Sequence, residues 1–221
     1  MASNLPLPKQ TPAFDPHCKK CDRIAGFLQA AKQKFPDYYC LPVAPFGEDD
    51  PALLIVGLAP GLHGANATGR PFTGDFAGVL LYETLYELGF STQSSSTHRE
   101  DGLRLLQCRI TNAVKCVPPE NKPTPDEIRS CNVYLRAELA GLRAGTVLLA
   151  LGAIAHESVL QAFDLRRKDF IFGHGHVHAL PNEHTLVDSY HCSRYNTQTR
   201  RLTTDMFRDV VKTAKQLLRP A

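Results

Sequence analysis

The sequence predicts an α/β fold: a central, mostly parallel four-stranded sheet between two layers of helices. Two observations carry this. Apolar runs of strand length recur, "PALLIVG" at 51–57, "GTVLLALG" at 145–152 and "HTLVDSYH" at 184–191. Between them lie longer stretches with helical periodicity, and strands alternating with helices build a parallel sheet covered on both faces.

Residues 1–16 are proline-rich and read as an extended arm ahead of one domain that spans the chain. "DRIAGFLQAAKQKF" from Asp22 reads as an amphipathic helix. The fully apolar "PALLIVG" has the pattern of a strand buried on both faces. The glycine-rich loop "GLAPGLHGANATGRPFTGD" follows, then the helix "FAGVLLYETLYELG", stopped at Gly89. "STQSSSTHREDG" (91–102) reads as a mobile polar loop, and "LRLLQCRITNAVKCV" (103–117) as the second strand. "TPDEIRSCNVYLRAELAGL" opens with a capping box, Thr124 and Glu127, and has Pro125 in its first turn. "GTVLLALG" is the third strand, "AIAHESVLQAF" the helix after it, and "HTLVDSYH" the fourth strand. "TTDMFRDVVKTAKQLL" closes the chain as an amphipathic helix.

The 221 residues suffice for one sizeable core, and 43% hydrophobic with 21% charged residues is ordinary for a globular protein. No apolar run reaches the roughly 18 residues of a membrane span. The N-terminus lacks the apolar segment of a secretory signal, so the cytoplasm is the expected compartment. A formal charge of +3 permits a polyanionic partner without requiring one. Seven cysteines, an odd number in a chain of this length, fit a reduced protein with a metal or cluster site. Cys18 and Cys21 form C-x-x-C, and Cys116 and Cys131 follow. Four thiolates suit an iron–sulfur cluster or tetrahedral zinc, and a redox pair with core cysteines is the third option.

Ligands of such sheets bind beyond the carboxyl ends of the strands. That gathers the loops after Gly57, Thr111 and Ser189 on one edge. The glycine-rich loop lacks the G-K-[S/T] of a phosphate loop. Asp75, near a helix start, is either an N-cap or a catalytic carboxylate. Asn112 ends an apolar strand, where an unpaired amide is costly, so it needs a specific partner. Asn121 reads equally as a turn residue. His191 follows a strand and precedes a polar loop, a catalytic address or a backbone-bonded histidine. Arg194, Tyr195 and Arg200 make a basic and aromatic segment suited to phosphates and base stacking, or a solvated surface run. "GHGHVH" places His174, His176 and His178 on alternate positions, which on a strand share one face and can bind a metal.

Together these segments resemble the uracil-DNA glycosylase superfamily, in its iron–sulfur branch and the family-five type. "GLAPG", "TGRPFTGD", "KCVPPENKPTP", "LGAIAHESVL", "FGHGHVHAL" and "SYHCSRYNTQTRRLT" match its motifs in order, over about residues 17 to 207. The resemblance implies a [4Fe–4S] cluster on Cys18, Cys21, Cys116 and Cys131, and a monomer that flips uracil out of DNA and hydrolyses its glycosidic bond. It implies catalytic roles for Asp75, His191 and Asn121. The base pocket would hold Gly57, Ala59, Gly61, Phe72 and Asn112, with Phe72 stacking on the base. Arg194, Tyr195, Asn196 and Arg200 would meet DNA. A small Gly61 implies tolerance of other deaminated bases such as hypoxanthine or xanthine. Cys192 departs from the proline common in the last motif. The competing reading is a non-catalytic iron–sulfur protein that binds damaged DNA.

Overall fold

The computed structural model describes residues 14–219. Most of the expected N-terminal arm, residues 1–13, lies outside them. The elements run α1 (Asp22–Lys34), β1 (Phe46–Gly47), β2 (Leu53–Gly57), α2 (Ala65–Thr68), α3 (Phe76–Glu87), β3 (Cys108–Asn112), α4 (Pro125–Ala140), β4 (Val147–Leu151), α5 (Ala153–Ala162), β5 (Val177–Ala179), β6 (Thr185–Ser189), α6 (Arg194–Gln198) and α7 (Thr204–Gln216). No helix among the described residues is long and apolar enough to cross a membrane.

The sheet order is β1-β3-β2-β4-β6-β5. The four expected strands form its parallel centre. Two short edge strands widen it to six, with β1 antiparallel to β3 and β5 antiparallel to β6. Both lack the apolar run that marks a buried strand, because an edge needs only one neighbour. The second strand is also shorter than its apolar run, 108–112 rather than 103–117.

Alternation along the strands builds three layers. Leu53 and Ile55 of β2 pack with Leu81 and Leu85 of α3 and with Phe207 and Val211 of α7. Leu54 and Val56 face the other way, onto Leu135 of α4 and Val159 of α5. A third cluster joins Ile24 and Leu28 of α1 to Val114, Val117 and Tyr134, with Cys18, Cys21, Cys116 and Cys131 packed against or within it. The expected capping box is present at α4, with Glu127 N–H donating to Thr124 Oγ1 and Glu127 Oε2 accepting from Thr124 N–H.

The polar segment 91–102 is not the loose loop expected. Arg70, buried and stacked 4.5 Å over the Phe46 ring, donates to Ser96 Oγ at 2.9 Å and to Asp101 Oδ1 at 2.7 Å. Its other terminal nitrogen reaches the Arg99 carbonyl, and Thr73 Oγ1 pairs with Ser96 Oγ at 2.7 Å. Asp101 also accepts from the amides of Thr97 and Leu103. Burial alone would raise its pKa, but Arg70 and these amides hold the carboxyl well below the usual carboxylate range. The partners are distant in sequence, so composition alone reads as a mobile stretch.

Removing one member of a buried ion pair costs about 3–5 kcal/mol, so Arg70→Met should lower stability by roughly that amount in urea unfolding at pH 7. A depressed carboxylate pKa contributes stability above the unfolded value that is lost as pH falls toward the folded one. The gap between wild type and Arg70→Met should therefore narrow between neutral pH and acid.

Candidate active site

The parallel register sets the site. Gly57 pairs with Asn112 and Leu151 pairs with Ser189, so the loops leaving β2, β3, β4 and β6 open on one edge. A cavity of about 500 Å³ lies there. Its walls include Ala59, Gly61 and Phe72 from the glycine-rich loop, with Asp75 at the start of α3. Asn112, Asn121, His191 and Arg194 come from the other loops.

Gly57 does not line the cavity; it makes room. A side chain there would overlap Asn112 Oδ1 and come within 2.7 Å of Phe72 Cζ. Phe72 is buried, takes a left-handed backbone with φ of 54°, and lies 5.9 Å from the His191 ring at 26° between planes. Tyr82 of α3, fully buried, supports that strained turn by donating to the Pro71 carbonyl at 2.8 Å. Gly64, which the sequence did not mark, is needed for Asp75: an added Cβ would sit 2.7 Å from its Oδ2. Gly152 caps α5 with φ of 98°, a backbone that favours glycine, and an added Cβ would make only ordinary contact with His191, 3.5 Å from its Cβ.

Asp75 caps α3 and also stands on the cavity wall. Its Oδ1 accepts from the Gly78 amide at 2.9 Å, capping α3, while the residue lines the cavity. Burial raises its pKa above the ordinary aspartate value, against the lowering by the Gly78 and Ala77 amides. Burial pushes the His191 imidazole down to about 4, so the ring is neutral at pH 7 and offers one N–H. Asn112 is 3% exposed, and its Oδ1 is buried with no hydrogen-bond partner among the described residues. No lysine is among the residues lining the cavity.

At the mouth, Asn121 is exposed with φ of 56° in the turn Pro119–Asn121. The Arg194 guanidinium lies 5.1 Å over the Phe76 ring. Tyr195 is 71% exposed, and Arg200 is exposed as well. Asn196 turns inward, its Nδ2 donating to the His191 carbonyl at 2.8 Å. Cys192 is fully buried in the core between α3, α7 and the sheet.

The histidines of "GHGHVH" do not share a face. Only His178 lies on β5; His174 and His176 lie in the turn before it. His178 Nε2 meets Asp188 Oδ2 at 3.0 Å, and His156 Nδ1 meets Asp188 Oδ1 at 2.7 Å. Asp188 is the acidic partner that sequence proximity did not reveal.

Cys18, Cys21, Cys116 and Cys131 line one small pocket with Ile24, Leu28 and Tyr134. Two segments and α4 converge on it. Arg23 of α1 grips Glu127 of α4 through both carboxylate oxygens, at 2.8 and 2.7 Å. Cys131 Sγ accepts from the Lys115 amide at 3.2 Å. Burial raises the Cys116 and Cys131 thiols, and the neighbouring cysteines push each further up as their charges accumulate. Among the described residues, the group of three or more potential ligand atoms within 4.8 Å of one another is His156, His178 and Asp188.

The uracil DNA glycosylase superfamily profile matches residues 44–215. A type-5 uracil-DNA glycosylase of Thermus thermophilus is 44% identical over 205 residues, covering 90% of this chain and 93% of that protein. The type-5 uracil-DNA glycosylase of Pyrobaculum aerophilum is 37% identical over 90% of this chain and 88% of its own. A type-4 uracil-DNA glycosylase of Archaeoglobus fulgidus is 34% identical but covers 67% of this chain and 61% of its own. With a profile match across both halves of the sheet and full-length likeness to the type-5 proteins, the chain belongs to the uracil-DNA glycosylase superfamily.

Proposed function

We propose that this protein removes uracil from DNA by hydrolysing the N-glycosidic bond, and that Asn112 reads the base. The observation that carries this is the unpartnered Asn112 amide oxygen, buried in the wall of a cavity large enough for a base. A buried polar atom without a partner is costly, and a base edge would satisfy it. The target atom is inaccessible within a duplex, so the nucleotide must swing out. Phe72 offers its face to the incoming base.

Bond cleavage leaves an oxocarbenium-like sugar and an anionic base. Asp75, held by the α3 amides, stabilises the sugar cation and directs water to it. The neutral His191 donates its N–H to the leaving base, an interaction that strengthens as charge develops. Asn121, at the rim, orients the water. Arg194, Tyr195 and Arg200 supply positive charge and stacking area for the strand, and Asn196 acts by holding the His191 backbone. The absence of lysine from the lining fits a monofunctional enzyme that leaves an intact abasic strand. Gly61 brings no side chain into the cavity wall, which favours acceptance of hypoxanthine and xanthine as well.

Cys18, Cys21, Cys116 and Cys131 would hold a [4Fe–4S] cluster. The donor set fits: four cysteines line one apolar pocket, and one of them already accepts a backbone N–H. The cluster would supply a covalent tie between the segment before α1, the loop after β3, and α4. That loop continues to Asn121, so the tie steadies one lip of the cavity.

Uracil-containing duplex incubated with the monomeric protein should be nicked only after alkali. Binding without base release would instead favour the non-catalytic reading. Asp75→Asn should slow single-turnover release by about a hundredfold or more, and His191→Ala by a similar factor. The pH profile of release should fall on the acid side as Asp75 protonates, above the ordinary aspartate value. Asn112→Ala should lower kcat/KM for uracil by about tenfold or more, as one base contact is lost. Purified protein should carry about four iron atoms per chain, and Cys131→Ser should lose the visible absorption and lower Tm.

A further inference from the structure

The "GHGH" turn does not line the cavity, yet it is bound to the backbone beside His191. We propose that His174 is a positioning residue for His191, held in place by the Asp188 carboxylate; this rests on the glycosylase reading of the site. His174 Nδ1 accepts the Tyr190 amide hydrogen at 3.1 Å, so that nitrogen is unprotonated. Its ring stacks on Tyr190 at 5.0 Å and 17° between planes. Burial keeps the His174 imidazole below its ordinary pKa against the raising effect of the Met206 backbone, which preserves the acceptor at neutral pH. Tyr190 immediately precedes His191. On the far side, Asn196 Nδ2 holds the His191 carbonyl at 2.8 Å. The backbone that carries His191 is thus gripped from both ends.

Asp188 fixes His174 by clamping both its flanks. Its Oδ2 accepts from the Gly173 amide at 3.3 Å and from His178 Nε2 at 3.0 Å. Its carbonyl accepts from the Gly175 amide at 2.8 Å, and its own amide donates to the His176 carbonyl at 2.9 Å. The remaining oxygen meets His156 Nδ1 at 2.7 Å. His156 Nε2 faces the Phe170 carbonyl at 3.0 Å. A carbonyl only accepts, so Nε2 carries a proton, and Nδ1 facing a carboxylate carries the second. His156 is therefore an imidazolium paired with Asp188. Because His156 belongs to α5, whose first residues line the cavity, the clamp ties the turn, β6 and α5 into one body with His191 on it. A displacement of about 1 Å at a catalytic group costs up to a hundredfold in rate, which is what such a grip prevents.

Two substitutions separate the acceptor from the ring. His174→Phe keeps an aromatic face for Tyr190 and removes the acceptor. His174→Asn removes the ring and returns an oxygen at the place of Nδ1. Uracil release from duplex should slow about tenfold in kcat for His174→Phe, as expected for one lost hydrogen bond, with KM within about twofold. His174→Asn should stay within about threefold of wild type. Hydrogen exchange at the Tyr190 amide should quicken in His174→Phe and not in His174→Asn. If the phenylalanine variant fails to fold, His174→Leu takes its place. Wild-type kcat and Tyr190 exchange in the acceptor-less variant, or equal damage in both variants, would overturn the proposal. If wild type itself releases no uracil, the glycosylase reading fails, and the Tyr190 exchange rates alone decide whether His174 holds this backbone.

Discussion

The in-register parallel pairing of β3, β2, β4 and β6 is the constraint on which the rest of this molecule depends. Every strand of this centre points the same way, so every connection must return across a face of the sheet, which α3, α4 and α5 do, while α7 covers the sheet after β6. The same pairing aligns Gly57 with Asn112 and Leu151 with Ser189. All the groups assigned to chemistry stand at or just beyond those positions. A one-residue slip of β3 would turn Asn112 to the other face of the sheet and empty the cavity of its amide.

Around that edge, space is won by glycine and filled by side chains that are held elsewhere. Gly57 admits Phe72 and Asn112, and Gly64 admits Asp75. Each admitted side chain has a support behind it. Tyr82 braces the turn at Pro71, the α3 amides hold Asp75, and Arg70 pins the segment between them to the 91–102 loop. The electrostatics follow from this packing. Burial raises the Asp75 pKa and lowers that of His191 to about 4, so the imidazole is neutral at pH 7.

The cysteine pocket lies on a different cluster from the two that sandwich the sheet. Its members come from sequence positions more than a hundred residues apart, yet α1 and α4 are already joined by the Arg23–Glu127 fork. The Lys115 amide that contacts Cys131 belongs to the loop that runs on from Asn112 to Asn121. Order in this pocket is therefore order at the lip of the cavity.

The sequence by itself determined the four central strands, the five long helices and the capping box of α4, since these rest on local periodicity and local hydrogen bonding. It also marked Asn112 and His191, because polar residues that end or follow buried strands must reach a common edge, and Asp75, because it stands near a helix start beside that edge. It missed β1 and β5, whose pairing depends on a neighbour rather than on their own apolarity. Only the tertiary structure decided that the 91–102 segment is pinned by Arg70, a partner more than twenty residues away. Only it set Asp188 between His156 and His178, which dissolved the expected three-histidine face. Asn196 was expected at the DNA surface, and only the structure shows its Nδ2 donating to the His191 carbonyl. Periodicity records which side of an element is buried; it carries no record of which distant side chain arrives there to meet it.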